Sequence, residues 1–185
     1  MPSLRRKSSR SELPTRREAL TILQEAGCSK EVVEHSLAVC RVALRIARKL
    51  RRKGFPVDLR LVEAGALLHD LGRSQTHDVR HGYLGGEIAR KLGLPPNLIH
   101  IIERHVGGGI TAEEAVLLGM PGRNFTPQTL EEKIVAYADK LIARNRTINF
   151  DETLQEFKEK LGENHPAVER LKRLRNEMEE KLNDP

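Results

Sequence analysis

Four places in this chain set an imidazole or a carboxylate on an otherwise apolar helical stripe: His35, the adjacent pair His69-Asp70, His105 and Asp139. Each has a mundane reading when taken alone, because a single core histidine is more often a hydrogen-bonded packing group than a ligand. Jointly they read differently. A carboxylate carried into an apolar core without a partner costs about 3–5 kcal/mol. Asp70 therefore needs a cation, and the imidazole beside it points to a metal. The residues themselves give a metal site built from His35, His69, Asp70 and Asp139, where the chain's buried acids are expected. Imidazoles mixed with carboxylates favour Fe, Mn, Co, Ni or Zn over Mg or Ca. Such an ion makes hydroxide available near neutral pH, which is hydrolytic chemistry.

The elements that must position these groups are helices. Asp58 is an N-cap for an apolar segment through Leu61, Val62, Leu67 and Leu68, and Gly72 is its expected stop. A buried helix of about three to four turns results, with His69 and Asp70 in its last turn. Ser29 caps a long helix to about Lys53, whose stripe of Val32, Val39, Val42 and Ile46 includes His35. A short helix from Thr15 to Ala26 precedes it. Further helices are expected from His81 to Leu92, from Pro96 to His105, from Thr111 to Leu118, and from a Thr126-Pro127 start through Asp139. Gly107 to Gly109 read as a turn. Two amphipathic helices close the chain, marked by Leu154, Phe157 and Leu161 and then by Val168, Leu171, Leu174, Met178 and Leu182. No strand and no Gly-rich phosphate loop is found. The fold class is all-α.

Composition narrows the classes. At 185 residues one domain with short appendages is expected. Residues 1–14, Ser/Arg-rich with two prolines, read as a disordered basic arm; 15–150 form the domain; 151–185 pack on it or form a dimer face. The net charge is +6, but 3% aromatic residues with no Trp leave few stacking platforms, so nucleic acid is not the expected principal ligand. Cys28 and Cys40 fit neither metal spacing nor a disulfide framework. No run reaches membrane-spanning length and the basic N-terminus lacks an apolar core, which makes the cytoplasm the expected location.

The order His35, His69-Asp70, Asp139 on helices resembles the HD superfamily of metal-dependent phosphohydrolases, over about residues 30–146. Leu68-His69-Asp70-Leu71-Gly72-Arg73 is close to that family's His-Asp-Ile-Gly variant, and Ala138-Asp139-Lys140-Leu141 is similar to its closing motif. The resemblance implies a helical bundle and an enzyme that hydrolyses a phosphomonoester or a (cyclic) phosphodiester of a nucleotide-like small molecule through metal-activated hydroxide. It further implies, from the contexts of His81 and His105, a dinuclear subset in which these two join the ligands and Asp70 bridges. One or two divalent ions per chain follow. Many such relatives carry a double histidine where this chain has His105 alone. Arg73, one turn beyond His69, is expected at the mouth with Asp70 as a catalytic pair, its guanidinium on a phosphate oxygen. Lys140 and His77 are further candidate substrate contacts.

Two other readings stand beside the hydrolase. Some relatives with the same ligand set are di-iron oxygenases, similar to inositol oxygenase. A metal-stabilised module that binds a nucleotide or a protein partner without turnover is the other.

Overall fold

The computed structural model describes residues 12–143 and 146–183. Residues 1–11 of the expected arm lie outside them. Of the remainder, Leu13 packs against the core.

Among the described residues the regular structure is helical, apart from one two-residue strand pair and an isolated bridge between Ile110 and Phe125. Its helices are α1 (Arg16–Glu25), α2 (Lys30–Arg52), α3 (Leu59–Leu68), α4 (His81–Lys91), α5 (Pro96–Arg104), α6 (Ala112–Leu117), α7 (Leu130–Asp139), α8 (Phe150–Leu161) and α9 (Pro166–Asn183). A 3₁₀ turn, Leu71–Ser74, follows α3. The pair is β1 (Ile142–Ala143) with β2 (Arg146–Thr147), antiparallel, Ile142 opposite Thr147. It was not expected from the sequence, since two residues per strand leave no alternation to read.

Local chemistry sets the helix starts. Side chains of Thr15, Ser29, Asp58, Thr111, Thr129 and Asn149 each accept a hydrogen bond from a first-turn N–H. The α7 cap is Thr129 rather than the expected Thr126. Thr126 N–H is taken by Asn124 Oδ1, and Gln128 N–H donates to Glu132 Oε2 at 2.6 Å, so the loop turns before the helix begins.

The core is a packing of α2, α3 and α7, with α5 across α3 and α7, α1 on α3, and α9 against α7 and α2. Apolar stripes supply it: Val39, Ala43, Ile46 and Leu50 from α2, Val62, Leu67 and Leu68 from α3, Ile134 and Val135 from α7. From the C-terminal helices, Leu154, Val168, Leu171, Leu174 and Met178 bury into the same cluster. The packing of α4 on α5 and on the 3₁₀ turn is closer. Glycines 82, 85 and 86 line one face of α4. A Cβ on Gly85 would lie 2.9 Å from Gly72 N, and one on Gly82 would lie 2.7 Å from Val106.

Helix α3 ends at Leu68, with His69 as its C-cap, and does not run on to Gly72. Asp70 then adopts φ −93°, ψ 17°, which turns the chain out of the helix. Gly72 is not the left-handed stop the sequence suggests. Its hydrogen faces the backbone of α4, where a Cβ would come within 1.9 Å of the His81 carbonyl oxygen. Tertiary contact therefore sets this boundary.

Candidate metal centre

Five helices deliver the six groups that the sequence singled out. His35 comes from α2, His69 from the end of α3 with Asp70 just after it, and His81 from the start of α4. His105 caps the end of α5 and Asp139 ends α7. All six converge. His69, His81, His105 and Asp70 are buried, and the cluster meets solvent along the His35 and Asp139 side.

The two oxygens of Asp70 face different imidazoles. Oδ2 lies 3.6 Å from His69 Nε2 and 3.9 Å from His35 Nε2. Oδ1 lies 3.3 Å from His81 Nε2 and 3.5 Å from His105 Nε2. Asp139 Oδ1 completes the first group, 2.9 Å from His35 Nε2 and 3.5 Å from His69 Nε2.

Tautomers follow from the ring nitrogens that point away. Nδ1 of His69, His81 and His105 lies 2.7–2.8 Å from the carbonyl oxygens of Ala66, Asp78 and Ile102. A carbonyl only accepts, so each Nδ1 carries a proton and donates, and Nε2 is the nitrogen turned inward. His69 Nε2 is buried with no hydrogen bond among the described residues. His81 Nε2 and His105 Nε2 face each other at 3.0 Å. Between neutral rings that is lone pair against lone pair, and a positive charge between them reconciles it. Backbone-locked imidazoles with converging lone pairs, plus carboxylates, form a donor set that fits a divalent transition metal.

Electrostatics keep the carboxylates of the cluster charged. Burial penalises the Asp70 anion, yet His69, His105 and His81 hold its carboxyl well below the usual range. Asp139 is held down likewise by Lys140, His35 and His69 against the same burial penalty. Burial pushes His105 down to about 4, which keeps it neutral. For His69, burial is overcome by the two carboxylates and the value rises.

Two cations edge the cluster. Arg73 Nε donates to Asp70 Oδ1 at 3.2 Å and its Nη1 to the His77 carbonyl at 2.8 Å. Lys140 Nζ donates to Asp139 Oδ2, while the Lys140 carbonyl accepts from Thr153 Oγ1 of α8 at 2.6 Å. His77 is exposed, and what it gives this network is its backbone oxygen.

The expectation that buried acids gather only here is corrected by Glu103 and Glu132. Glu103, 1% exposed, is clamped by Arg90 at 2.7 Å and Arg123 at 2.6 Å; Glu132, 3% exposed, pairs with Arg104 at 3.0 Å. Their partners lie far away in sequence, so spacing gave no hint. Sequence reading also passed over glycines 82, 85 and 86 as a packing face. Their i, i+3, i+4 spacing was the available signal for the close approach that brings His81 to His105.

Known proteins show what this arrangement is similar to. The family described as the HD domain matches residues 32–144. An uncharacterized protein of Methanocaldococcus jannaschii is 48% identical over 161 residues, 87% of this chain and 95% of that one. A tRNA (cytidine(56)-2'-O)-methyltransferase of Picrophilus torridus is 39% identical over 166 residues, 90% of this chain but 47% of its own length. Among solved structures, the HD domain of the L. monocytogenes phosphodiesterase PgpH, crystallised with cyclic-di-AMP, superposes with a TM-score of 0.53 at 18% identity. That match covers 89% of this chain and 95% of that one.

Proposed function

The chain belongs to the HD-domain family, and from that premise we propose that it is a metal-dependent hydrolase of a phosphomonoester or (cyclic) phosphodiester in a nucleotide-like molecule. The observation that carries this reading is the Asp70 carboxylate, one oxygen toward His35 and His69 and the other toward His81 and His105. In this reading His35, His69 and Asp139 would hold one divalent ion and His81 and His105 a second, with Asp70 available to both.

Bound there, such ions polarise a phosphoryl group and lower the pKa of water. The protein's own groups then have distinct tasks. Asp70 fixes the spacing between the two ligand sets. Arg73, braced by Asp70 and the His77 carbonyl, offers its uncommitted Nη2 to a phosphate oxygen. Lys140 spends one donor on Asp139 and adds positive charge where the phosphoryl group gains negative charge. The backbone acceptors of Ala66, Asp78 and Ile102 keep three imidazoles in the ligating tautomer.

The cyclic dinucleotide held by the PgpH domain supports a nucleotide phosphodiester as the substrate class. This chain spans under half of the Picrophilus methyltransferase, so methyl transfer is not carried over from it.

Turnover by anaerobically prepared protein tests the proposal. The substrates are nucleoside monophosphates, 2′,3′- and 3′,5′-cyclic nucleotides and a cyclic dinucleotide, each with Mn, Fe(II), Co, Ni or Zn. Cleavage that needs metal, tolerates redox-inert Zn and is lost in Asp70→Ala is the expected result. Turnover only with iron and O₂ would replace hydrolysis with oxygenation. Bound metal with no cleavage of any ester would leave a binding module.

A further inference from the structure

The second half of α2 presents a row of unneutralised cations. From residue 35 to residue 57 the chain contains no Asp or Glu, while Arg41, Arg45, Arg48, Lys49, Arg51 and Arg52 all fall within it. All six are exposed. Arg41, Arg45, Arg48 and Arg52 follow i, i+4, i+7 and i+11, which places them on one face of the helix. The opposite face buries Val39, Ala43, Ala47 and Leu50.

Many cations elsewhere are paired: Arg16 with Glu63, Arg90 with Glu87 and Glu103, Arg104 with Glu132, Lys133 with Glu177, Arg170 with Glu114, Arg175 with Asp151. Among the described residues no carboxylate forms an ion pair with any of the four arginines in the row; of the acids close by in the fold, Glu63 is taken by Arg16 and Glu34 by Lys30. Favourable interaction with the helix dipole accounts for cations in the last turn, Lys49, Arg51 and Arg52, but not for Arg41 and Arg45 in the middle.

We propose that this face of α2 binds the phosphate backbone of a polynucleotide. Arg41 and Arg52 are 11 residues apart, about 16 Å along the helix, enough to follow several phosphates spaced roughly 3.4 Å along each strand axis. An even row of planar guanidinium groups suits a repeating anion that can engage every position. The face carries no exposed large apolar side chain for insertion into a lipid surface; those of the described residues are Val79, Val116, Leu117, Leu118 and Leu161, on other elements. It carries no aromatic platform for unstacked bases either, so recognition is of backbone and not of sequence. The row begins on α2 beyond His35 and includes none of the proposed metal ligands, and its role does not depend on the hydrolytic reading.

Fluorescence anisotropy of the full chain with labelled duplex RNA, duplex DNA and single-stranded RNA, from 50 to 300 mM salt, tests this. The quadruple variant Arg41→Ala/Arg45→Ala/Arg48→Ala/Arg52→Ala is compared with Arg17→Ala/Lys91→Ala/Lys160→Ala/Lys172→Ala, which removes equal charge elsewhere. Thermal melting checks that both are folded. The expected result is binding by the parent and a loss of more than about tenfold in the α2 variant. The slope of log K against log salt should fall by roughly 3–4, since each phosphate contact contributes about 0.9. The second variant should bind nearly as the parent does, and the preferred probe names the polynucleotide. No binding at 50 mM salt, or equal losses in the two variants, would overturn the proposal.

Discussion

His81 Nε2 and His105 Nε2 lie 3.0 Å apart, each ring with its Nδ1 already donating to a backbone carbonyl. Two lone pairs held that close call for a proton or a metal ion between them, and a metal ion bound there would be thermodynamically linked to the fold. Saturating Mn or Zn at about 100 Kd should add roughly 2.7 kcal/mol, which for a chain of this size raises Tm by about 5–10 °C. Melting in chelator against melting in metal checks this. An unchanged Tm would mean that the facing nitrogens share only a proton.

The 3₁₀ turn after Asp70 depends on Gly72. A methyl group there would meet the His81 carbonyl at 1.9 Å, and backbone cannot rotate away as a flexible side chain can. Gly72→Ala should therefore cost about 3 kcal/mol or more and separate His81 from Asp70. Gly27→Ala is the useful comparison: its φ of +84° is strained for alanine, but its Cβ meets nothing within 4 Å. The expected outcome is a larger Tm loss in Gly72→Ala, accompanied by lower metal content, with Gly27→Ala losing stability alone.

Arg73 offers a separation of roles. It braces Asp70 but supplies no metal-binding atom, so Arg73→Ala should keep its bound metal while losing roughly tenfold to 100-fold in kcat/KM, the worth of a charge-assisted contact of about 1.5–3 kcal/mol. Arg73→Lys should recover only part, because a point charge cannot reproduce the fork. Steady-state kinetics with metal analysis on the same samples reads both.

Glu103 is a structural charge. Arg90 and Arg123 each hold it, so either single alanine substitution leaves one partner. The double variant Arg90→Ala/Arg123→Ala strands a buried carboxylate, which costs about 3–5 kcal/mol. A Tm loss clearly larger than the sum of the two single losses is expected in melting experiments; simple additivity would contradict the shared clamp.

How much of this was legible in the sequence depended on how local the cause was. His35, His69, Asp70 and Asp139 stood out because each interrupts an apolar stripe, and all four meet. Caps such as Ser29, Asp58 and Thr111 were readable because the capping bond spans two or three residues. The end of α3 was not, because Gly72 answers to His81 across a packed interface. The start of α7 failed for a related reason: Asn124 turns Thr126 into loop, and Thr129 takes the cap. Glu103 and Glu132 looked like surface acids until arginines 13 to 28 residues away closed on them.

The most direct test of the account is metal content per folded chain, comparing the parent with Asp70→Asn, which keeps the side-chain shape but removes the charge. The account predicts close to two ions per chain in the parent and a near-complete loss in the folded variant. Equal content in the two proteins, or a parent that binds no divalent ion, would contradict it.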